Sequence, residues 1–571
     1  MRRKIHEQEV VIGCEDSCFL VTSRPGRGKT SVALWFAERQ LKQVKLSPSK
    51  KILFLTFSRN AVYQISTASG TLLDKSIQSR LQIATYHSFM WWLIQAFGRY
   101  SGLPQHLDLI WETKARSVTH GCGCEQLKLP FFLACQAGGI TYDCFAPLTI
   151  SLLKSKTVRQ GIASLFPIIV VDEFQDTNDE QWDLIKLLSK HSRIGCFADP
   201  DQMIHRFRGA SDDRVNQLIS EKGAKHYRLQ EECLRTDDHE LLDFAEAILD
   251  NRQISTLEKK SWKRRFLVDY HGPNGRSPSL KMVLCSFDGD YKKRNNDDSP
   301  SVALAAYSNN TAALIRSELK KQTTSFNYKV SSKILEPDQD ESLEDLVLHL
   351  ALWNSSKSID DLKFAIRIIG SILAPKDISK ASGPIQSLFF PDELLSGSRP
   401  PKLTAKTIVD KLKKYISDSD ACTNAIIESG QIIKCLGDKI KPFGQKLETL
   451  KFETRLKNML TIAPQCSGNN ISEELSKLKS KITNERLQRC VMQRVTPIKG
   501  RVVATMHKLK GKEFDYVAVL AGPHDIFRSS QDELEIDTRR LLYVSLTRAR
   551  YDARILYMGS KPPPILAPFL A

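Results

Sequence analysis

The sequence predicts an α/β fold built on parallel sheet, and three observations carry that prediction. A short apolar run, Cys18 to Thr22, leads into Ser23-Arg24-Pro25-Gly26-Arg27-Gly28-Lys29-Thr30 and then into a helical stretch through Leu41. A second run, Ile168-Ile169-Val170-Val171, has the unbroken apolar character of a strand buried on both faces and ends on Asp172-Glu173. The length, 571 residues, exceeds one ordinary core, so several domains are expected.

Composition narrows the class. Hydrophobic residues make up 41% and charged residues 26%, the balance of a folded globular protein rather than a disordered one. No apolar run approaches the roughly 18 residues of a membrane span. The basic start, Met1-Arg2-Arg3-Lys4, gives way to polar residues rather than to the apolar centre of a signal peptide. Net charge is +18, from 83 basic and 65 acidic residues, which calls for a polyanionic partner, most simply nucleic acid. An anionic membrane surface would ordinarily bring a lipidation signal or a basic amphipathic helix, and no lipidation signal is found, so no membrane partner is expected.

The 13 scattered cysteines, an odd number, fit reduced thiols and a cytoplasmic protein, nucleoid-associated in a bacterium or nuclear in a eukaryote. His120, Cys122, Cys124, Cys135 and Cys144 are close enough in sequence to be weighed as metal ligands. Cys122-x-Cys124 is tighter than the usual ligand gap and the later gaps match no common pattern, so no metal is assigned there.

The first strand and its loop form a phosphate cradle. Backbone N–H groups and the start of the helix surround phosphate oxygens, Lys29 reaches the β- and γ-phosphates, and the Thr30 hydroxyl ligates magnesium. Gly26, Arg27, Gly28, Lys29, Thr30 and Ser31 are therefore the candidate ATP-binding loop. Ser23 replaces the first glycine of the general pattern, while Gly26 and Gly28 remain where backbone must approach phosphate. Gln8, 21 residues before Lys29, is near enough to meet an adenine edge, although a surface glutamine is the plainer reading.

Asp172 and Glu173 follow their strand onto the carboxyl edge of the sheet, where ligands of open α/β folds bind. Asp172 is placed to hold Mg2+, and Glu173 to take the proton from a water attacking the terminal phosphate. An acidic loop capping the helix that starts near Glu180 is the alternative, and the phosphate loop decides against it. Two further strands, ending on Phe57-Ser58-Arg59-Asn60 and on Thr85-Tyr86-His87, place aromatics beside hydroxyls and a basic residue, which suits base stacking and phosphate contact. Each aromatic taken singly fits a core equally well. From Met90 to about Phe166 the pattern loosens into a small insertion, and a strand at Arg193–Ala198 then leads into Asp199-Pro200-Asp201-Gln202.

Taken in order, SRPGRGKT, LTFSRNA, ATYHSF, VVDEFQDTN, DPDQMIHRFRGA, YSNN at 307–310, TMHKLKGKEF at 505–514 and RRLLYVSLTRAR at 539–550 resemble the UvrD/Rep-type superfamily 1 DNA helicases. The resemblance runs from Gln8 to Arg550. It implies two RecA-like P-loop NTPase lobes, each with a mainly helical insertion: residues 1–250 interrupted at about 90–160, and 251–571 interrupted at about 338–500. It implies ATP and Mg2+ as cofactors, with Gln8 on adenine, Glu513 near the ribose, and Asp172 with Thr30 on the metal. Glu173 would be the base, Gln202 the γ-phosphate sensor and Arg548 an arginine finger from the second lobe. Phe57, Thr85, His87, Phe207, Arg208, Thr505 and His507 occupy positions where the family touches single-stranded DNA.

Departures are confined to a few sites. His205 and Phe207 replace a usual tyrosine and tryptophan, and Leu229–Thr236 only loosely follows L-x-x-N-Y-R-S-T, with Arg235 displaced by one residue. Ala306-Tyr307 stands where the family has Tyr-Arg, so a second γ-phosphate arginine is missing. Slower turnover, or substitution by Arg235 or Arg316, is the expected consequence. Tyr307 is itself a candidate cofactor-binding residue if a one-residue shift brings its ring over adenine; packing between lobes is the alternative. Lys259–Arg265, a basic run around Trp262, reads as either a nucleic-acid contact or a solvated loop.

The expected activity is that of an ATP-dependent helicase or translocase moving 3′ to 5′ on single-stranded DNA and acting at single-strand/duplex junctions. No nuclease or zinc module follows Arg548, so a protein partner is expected to supply any such effector. An RNA-directed helicase is one competitor, because stacking and phosphate contacts discriminate sugars poorly. An ATP-gated nucleic-acid sensor or clamp, in a repair or antiviral-defence complex, is the other.

Overall fold

The computed structural model describes the chain apart from residues 1–5, 44–46, 111–114, 116–117, 119–128, 205, 207–208, 231–235, 237, 270–271, 296–298, 308, 321–332, 335–341, 357–358, 374–381, 383–384, 386, 389–390, 397–406, 411, 413–423, 450, 465, 467–469, 491–499, 522–531, 558–561 and 571. The described residues include fourteen strands, beginning with β1 (Cys18–Thr22), β2 (Ile52–Thr56), β3 (Leu81–Thr85), β4 (Asp108–Leu109) and β5 (Gly139–Ile140). Next come β6 (Ile168–Val171), β7 (Arg193–Ala198), β8 (Lys225–Arg228), β9 (Leu267–Asp269), β10 (Val302–Ala306) and β11 (Lys333–Ile334). The last are β12 (Arg501–Thr505), β13 (Phe514–Ala521) and β14 (Ala549–Tyr557).

Two six-stranded sheets dominate, with orders β3-β2-β6-β7-β1-β8 and β11-β12-β10-β13-β14-β9. Every pairing in them is parallel. That is the α/β architecture expected from the apolar runs: β2, β6 and β10 are buried at every residue, as strands covered by helices on both faces must be. Register does the rest. Thr56 pairs with Thr85, Leu55 with Val171, Val171 with Cys196 and Thr22 with Ala198, so these strands of the first sheet end at one edge. The residues that follow them, Phe57, Asp172, Asp199 and Ser23, therefore emerge side by side. In the second sheet Ala306 pairs with Thr505 and with Leu520, aligning Tyr307 with Met506 in the same way.

The core of the second sheet also takes in two helices that precede it. His239–Asp250 buries Leu241, Phe244, Ala245, Ala247 and Ile248 there, and Thr256–Phe266 adds Trp262 and Phe266. The basic run 259–265 thus lies within a helix opened by a Ser255/Glu258 capping box. Trp262 is 3% exposed and packs edge-on to Phe244 with 5.7 Å between ring centroids, so it is a core residue and not a platform for bases.

The chain divides into two compact units. Both sheets lie in the unit formed by residues 1–86, 153–337 and 493–571. The other unit joins the two insertions, 87–152 and 338–492. Its helices Ser342–Ser356, Ile359–Leu373, Ala425–Lys439 and Ile471–Cys490 share one apolar core, to which Leu475, Leu478 and Ile482 contribute one helical stripe. Arg455 pairs with Glu344 at 2.8 Å inside that unit. Among the described residues no helix is long and apolar enough to cross a membrane.

Candidate functional site

The phosphate loop is shaped by two glycines. Gly26 and Gly28 have φ of 76° and 85°, values that cost a side-chain-bearing residue strain, and Val32 N bonds back to Gly28 O at 2.9 Å to open the helix Lys29–Gln43. The Lys29 ammonium folds over this loop. It donates to Ser23 O at 2.7 Å and Arg24 O at 3.3 Å, and lies 3.4 Å from the Asp199 carboxylate at the end of β7.

Asp172 continues the β2–β6 ladder through its N–H to Leu55 O at 2.8 Å, and the chain then turns sharply. Glu173 adopts φ 55°, ψ 41°, a left-handed conformation uncommon outside glycine and asparagine, which points to a position held by function rather than local preference. Gln175 fixes its carboxylate from the side, donating at 2.5 Å, while the other end of that amide accepts from Asp199 N at 2.9 Å. Burial and the charge on Glu173 push Asp172 up to about 7. Burial also works against ionisation of Glu173, but Lys510, Lys29 and Arg548 outweigh it and hold that carboxyl below its usual value. Of the two, Glu173 is the one whose neighbours favour the charged form.

Asp172 and Thr30 line the same cavity, and a buried carboxyl that resists ionisation is one that a divalent cation would relieve. A carboxylate plus a hydroxyl, with room for water and phosphate oxygens, is a donor set suited to Mg2+. These two residues would hold it.

The second sheet contributes cations. Arg548, 3% exposed at the start of β14, donates to the side-chain oxygen of Gln202 at 3.0 Å and is braced by Val544 O at 3.0 Å. Gln202 in turn donates to Asp199 at 2.6 Å. Lys510, nearly buried, bonds Gln202 O, pairs with Asp176 at 2.5 Å and approaches Glu173 at 3.7 Å. Lys510, Asp176, Asp199 and Gln175 lie within stretches whose resemblance is noted above, yet only their environment reveals their roles. Charged residues in such stretches carry no mark of which will be buried together.

The resulting cavity has a volume of about 870 Å3. Gln8, the loop from Gly26 to Ser31, Asp172, Glu173, Gln202, Glu513 and Arg548 all line it, and Arg550 joins them through an ion pair to Glu513 at 3.4 Å. Tyr307 is not among the lining residues. Its ring meets His507 edge-on at 6.2 Å and packs against the core of the second sheet, because register aligns the ends of β10 and β12. Of the two readings of Tyr307, over adenine or packed against protein, these contacts accord with the second. Arg316, offered as a replacement arginine, does not line the cavity, and Arg235 lies outside the described residues.

Of the expected DNA contacts, Phe57 is half-buried beyond β2, Thr85 and Thr505 are buried at the ends of β3 and β12, and His507 is half-buried in the turn Met506–Leu509. His87 belongs to the other unit, where it meets Tyr142 at 5.9 Å and Phe145 at 6.1 Å. Phe207, Arg208 and His205 lie outside the described residues, as do His120, Cys122 and Cys124; Cys135 is exposed and Cys144 buried.

Tandem parallel sheets that share one phosphate-binding cavity, with a glycine loop and acidic pair from the first and an arginine from the second, define a two-lobed P-loop nucleotide-binding protein. Comparison with known sequences is narrower. Residues 5–130 and 135–223 match the UvrD/REP helicase N-terminal domain, and residues 501–556 match the UvrD-like helicase C-terminal domain. DNA helicase II of Escherichia coli (strain K12) is 23% identical over 97% of this chain and 84% of its own length. ATP-dependent DNA helicase Rep of Buchnera aphidicola subsp. Schizaphis graminum is 22% identical over 74% and 66%. ATP-dependent DNA helicase PcrA of Staphylococcus aureus (strain Mu50 / ATCC 700699) is 22% identical over 73% and 58%. These stretches are thus similar to both the N-terminal and the C-terminal domains of the UvrD/Rep-type helicases.

Proposed function

We propose that this chain is an ATP-dependent DNA helicase that moves 3′ to 5′ along single-stranded DNA and opens single-strand/duplex junctions. One observation supports the reading above others: a single cavity receives Lys29, Asp172 and Glu173 from the first sheet and Arg548 from the second, with Lys510 touching Glu173 from behind. A group bound there contacts both sheets, so its loss changes what holds them together.

In this mechanism Glu173 accepts the proton of the attacking water. Lys29, Gln202 and Arg548 stabilise charge that grows on the transferred phosphoryl group. Asp172 and Thr30 would hold magnesium, which would supply Lewis-acid neutralisation of the phosphate oxygens. Release of phosphate removes the anion that Lys29 and Arg548 share, and the two sheets separate, the helix His239–Asp250 staying with the second rather than with the first lobe that the expected boundary at 250 would give it. By family resemblance Phe57 and Phe207 would pass bases along as they do so.

Two measurements test this together. ATPase rate is compared with no nucleic acid, with single-stranded DNA and with matched RNA. Strand displacement is compared on 3′-tailed, 5′-tailed and blunt duplexes. Stimulation by DNA and displacement only from a 3′ tail support the proposal; stimulation by RNA alone replaces DNA with RNA as substrate. The position of Tyr307, where the family supplies an arginine, favours a second reading as an ATP-gated nucleic-acid sensor or clamp. DNA-stimulated hydrolysis with no displacement on any duplex would establish that reading instead.

A further inference from the structure

Arg24 is the second residue of the phosphate loop, but its side chain does not line the nucleotide cavity. It points behind the loop, into a separate cavity of about 250 Å3 that it shares with His239, Glu246 and Tyr543. Three carboxylates receive its guanidinium. Nη1 is 2.7 Å from Glu246, Nη2 is 3.2 Å from Asp250, and Nε is 3.4 Å from Asp201. Asp201 precedes Gln202 in the turn Pro200–Gln202. Glu246 and Asp250 belong to the helix His239–Asp250, whose apolar face is built into the core of the second sheet. Arg24 therefore spans from the first sheet's phosphate loop to a helix rooted in the second.

That helix continues the connection. Arg539 on the helix Asp532–Leu546 donates to Ile248 O at 2.8 Å, and the same helix runs on to Arg548, which donates to Gln202. The contacts close a ring: phosphate loop, Arg24, helix 239–250, Arg539, Arg548, Gln202, Asp201 and Arg24 again. The carbonyl of Arg24 also accepts from Lys29 at 3.3 Å, so a shift of this residue moves the ammonium that meets phosphate. The carboxylates are 30–48% exposed, and pairs this open add little to fold stability. Their value lies in geometry, since a fork of five donors fixes direction where a single ammonium would not.

We infer that Arg24 is a positioning residue, a three-carboxylate latch that couples placement of the phosphate loop to placement of the arginine-bearing second sheet. The inference rests on the proposed ATP hydrolysis and adds to it a residue that acts without touching nucleotide. Loss of the latch leaves the loop able to bind ATP but not aligned with Arg548 at the moment of transfer.

The test uses the full chain with saturating single-stranded DNA, and compares wild type, R24A, R24K, E246Q/D250N and the triple variant R24A/E246Q/D250N. Steady-state kcat and KM are measured, together with affinity for a non-hydrolysable ATP analogue and the melting temperature. R24A is expected to lower kcat by about tenfold or more, because small misplacements of reacting groups cost rate steeply. Its analogue affinity and melting temperature stay at wild-type values. E246Q/D250N should show the same fall, the triple variant no further fall, and R24K an intermediate rate. Wild-type kcat in R24A overturns the inference, and so does a loss of analogue affinity that matches the loss of rate. Additive effects in the triple variant overturn it as well. If R24A does not fold, the near-isosteric E246Q/D250N decides in the same terms. A wild-type chain that hydrolyses no ATP overturns the proposed function and the latch with it, whereas an active wild type with an equally active R24A overturns the latch alone.

Discussion

Glu173 carries the highest chemical demand of any residue in the site. Its left-handed backbone, the Gln175 amide at 2.5 Å and three nearby cations all serve to hold one ionised carboxylate in one direction. Glu173→Gln keeps shape and removes the basic oxygen. Hydrolysis should fall by about 100- to 10,000-fold, with analogue binding retained, in a purified variant assayed for both. Lys512 makes a second, separable statement at this scale. It donates to Lys508 O at 2.5 Å, and burial, with Lys508 and Arg59 adding like charge, pulls its ammonium down to about 8. The sign follows from proton counting: between about 8 and the unfolded value of roughly 10.4 the unfolded chain binds more protons, so this lysine makes stability rise with pH across that window. Lys512→Met should stabilise the fold at pH 7 by up to about 3 kcal/mol and lose that advantage as pH approaches 10. Urea unfolding at both pH values reads it directly, and equal midpoints for the two proteins at pH 7 would refute it.

At the scale of strands, one register explains two sets of neighbours. Because β2 and β3 end together, Phe57 emerges beside Tyr86, and because β10 and β12 end together, Tyr307 meets His507. Phe57 is half-buried at an edge where bases are proposed to pass. Phe57→Ala should weaken single-stranded DNA binding by about 1–3 kcal/mol whatever the sequence, with unstimulated ATPase unaltered; fluorescence anisotropy supplies the number. Tyr307 gives the opposite expectation from the one its sequence position suggests. Since it stands against His507 and outside the cavity, Tyr307→Ala should leave KM for ATP unchanged and lower the DNA-stimulated rate. A raised KM with unchanged kcat would instead return the ring to adenine.

Across the whole unit that holds both sheets, buried charge is what joins them. Lys510 reaches from the second sheet to Gln202 O and to Asp176, a residue 2% exposed whose carboxyl burial pushes up to about 7 even with that cation beside it. Removing one partner of a buried pair leaves the other stranded. Lys510→Met should therefore cost about 3 kcal/mol, the lower end of the range for such pairs because Asp176 can take up a proton. Adding Asp176→Asn should recover part of that loss. Chemical denaturation of the single and double variants measures the recovery, and a double variant no more stable than the single one would show that the pair is not the bridge.

Much of this protein was legible without coordinates. Apolar runs of four or five residues, each followed by chemistry-bearing side chains, specify parallel strands whose ends emerge together at one sheet edge. Local patterns suffice there because strand burial and loop conformation depend on near neighbours in the chain. Tertiary structure alone decided three other matters. It placed Trp262 in a core and Tyr307 beside His507, since what a ring packs against is set by register and by helices far away in sequence. It gathered the insertions 87–152 and 338–492 into one unit, although each interrupts a different sheet. And it joined Arg24 to Glu246 and Asp250, and Lys510 to Asp176, across separations of hundreds of residues. Charged side chains in a chain this basic are interchangeable on the page. Only folding, which brings particular opposite charges out of water together, distinguishes the few that hold a site from the many that face solvent.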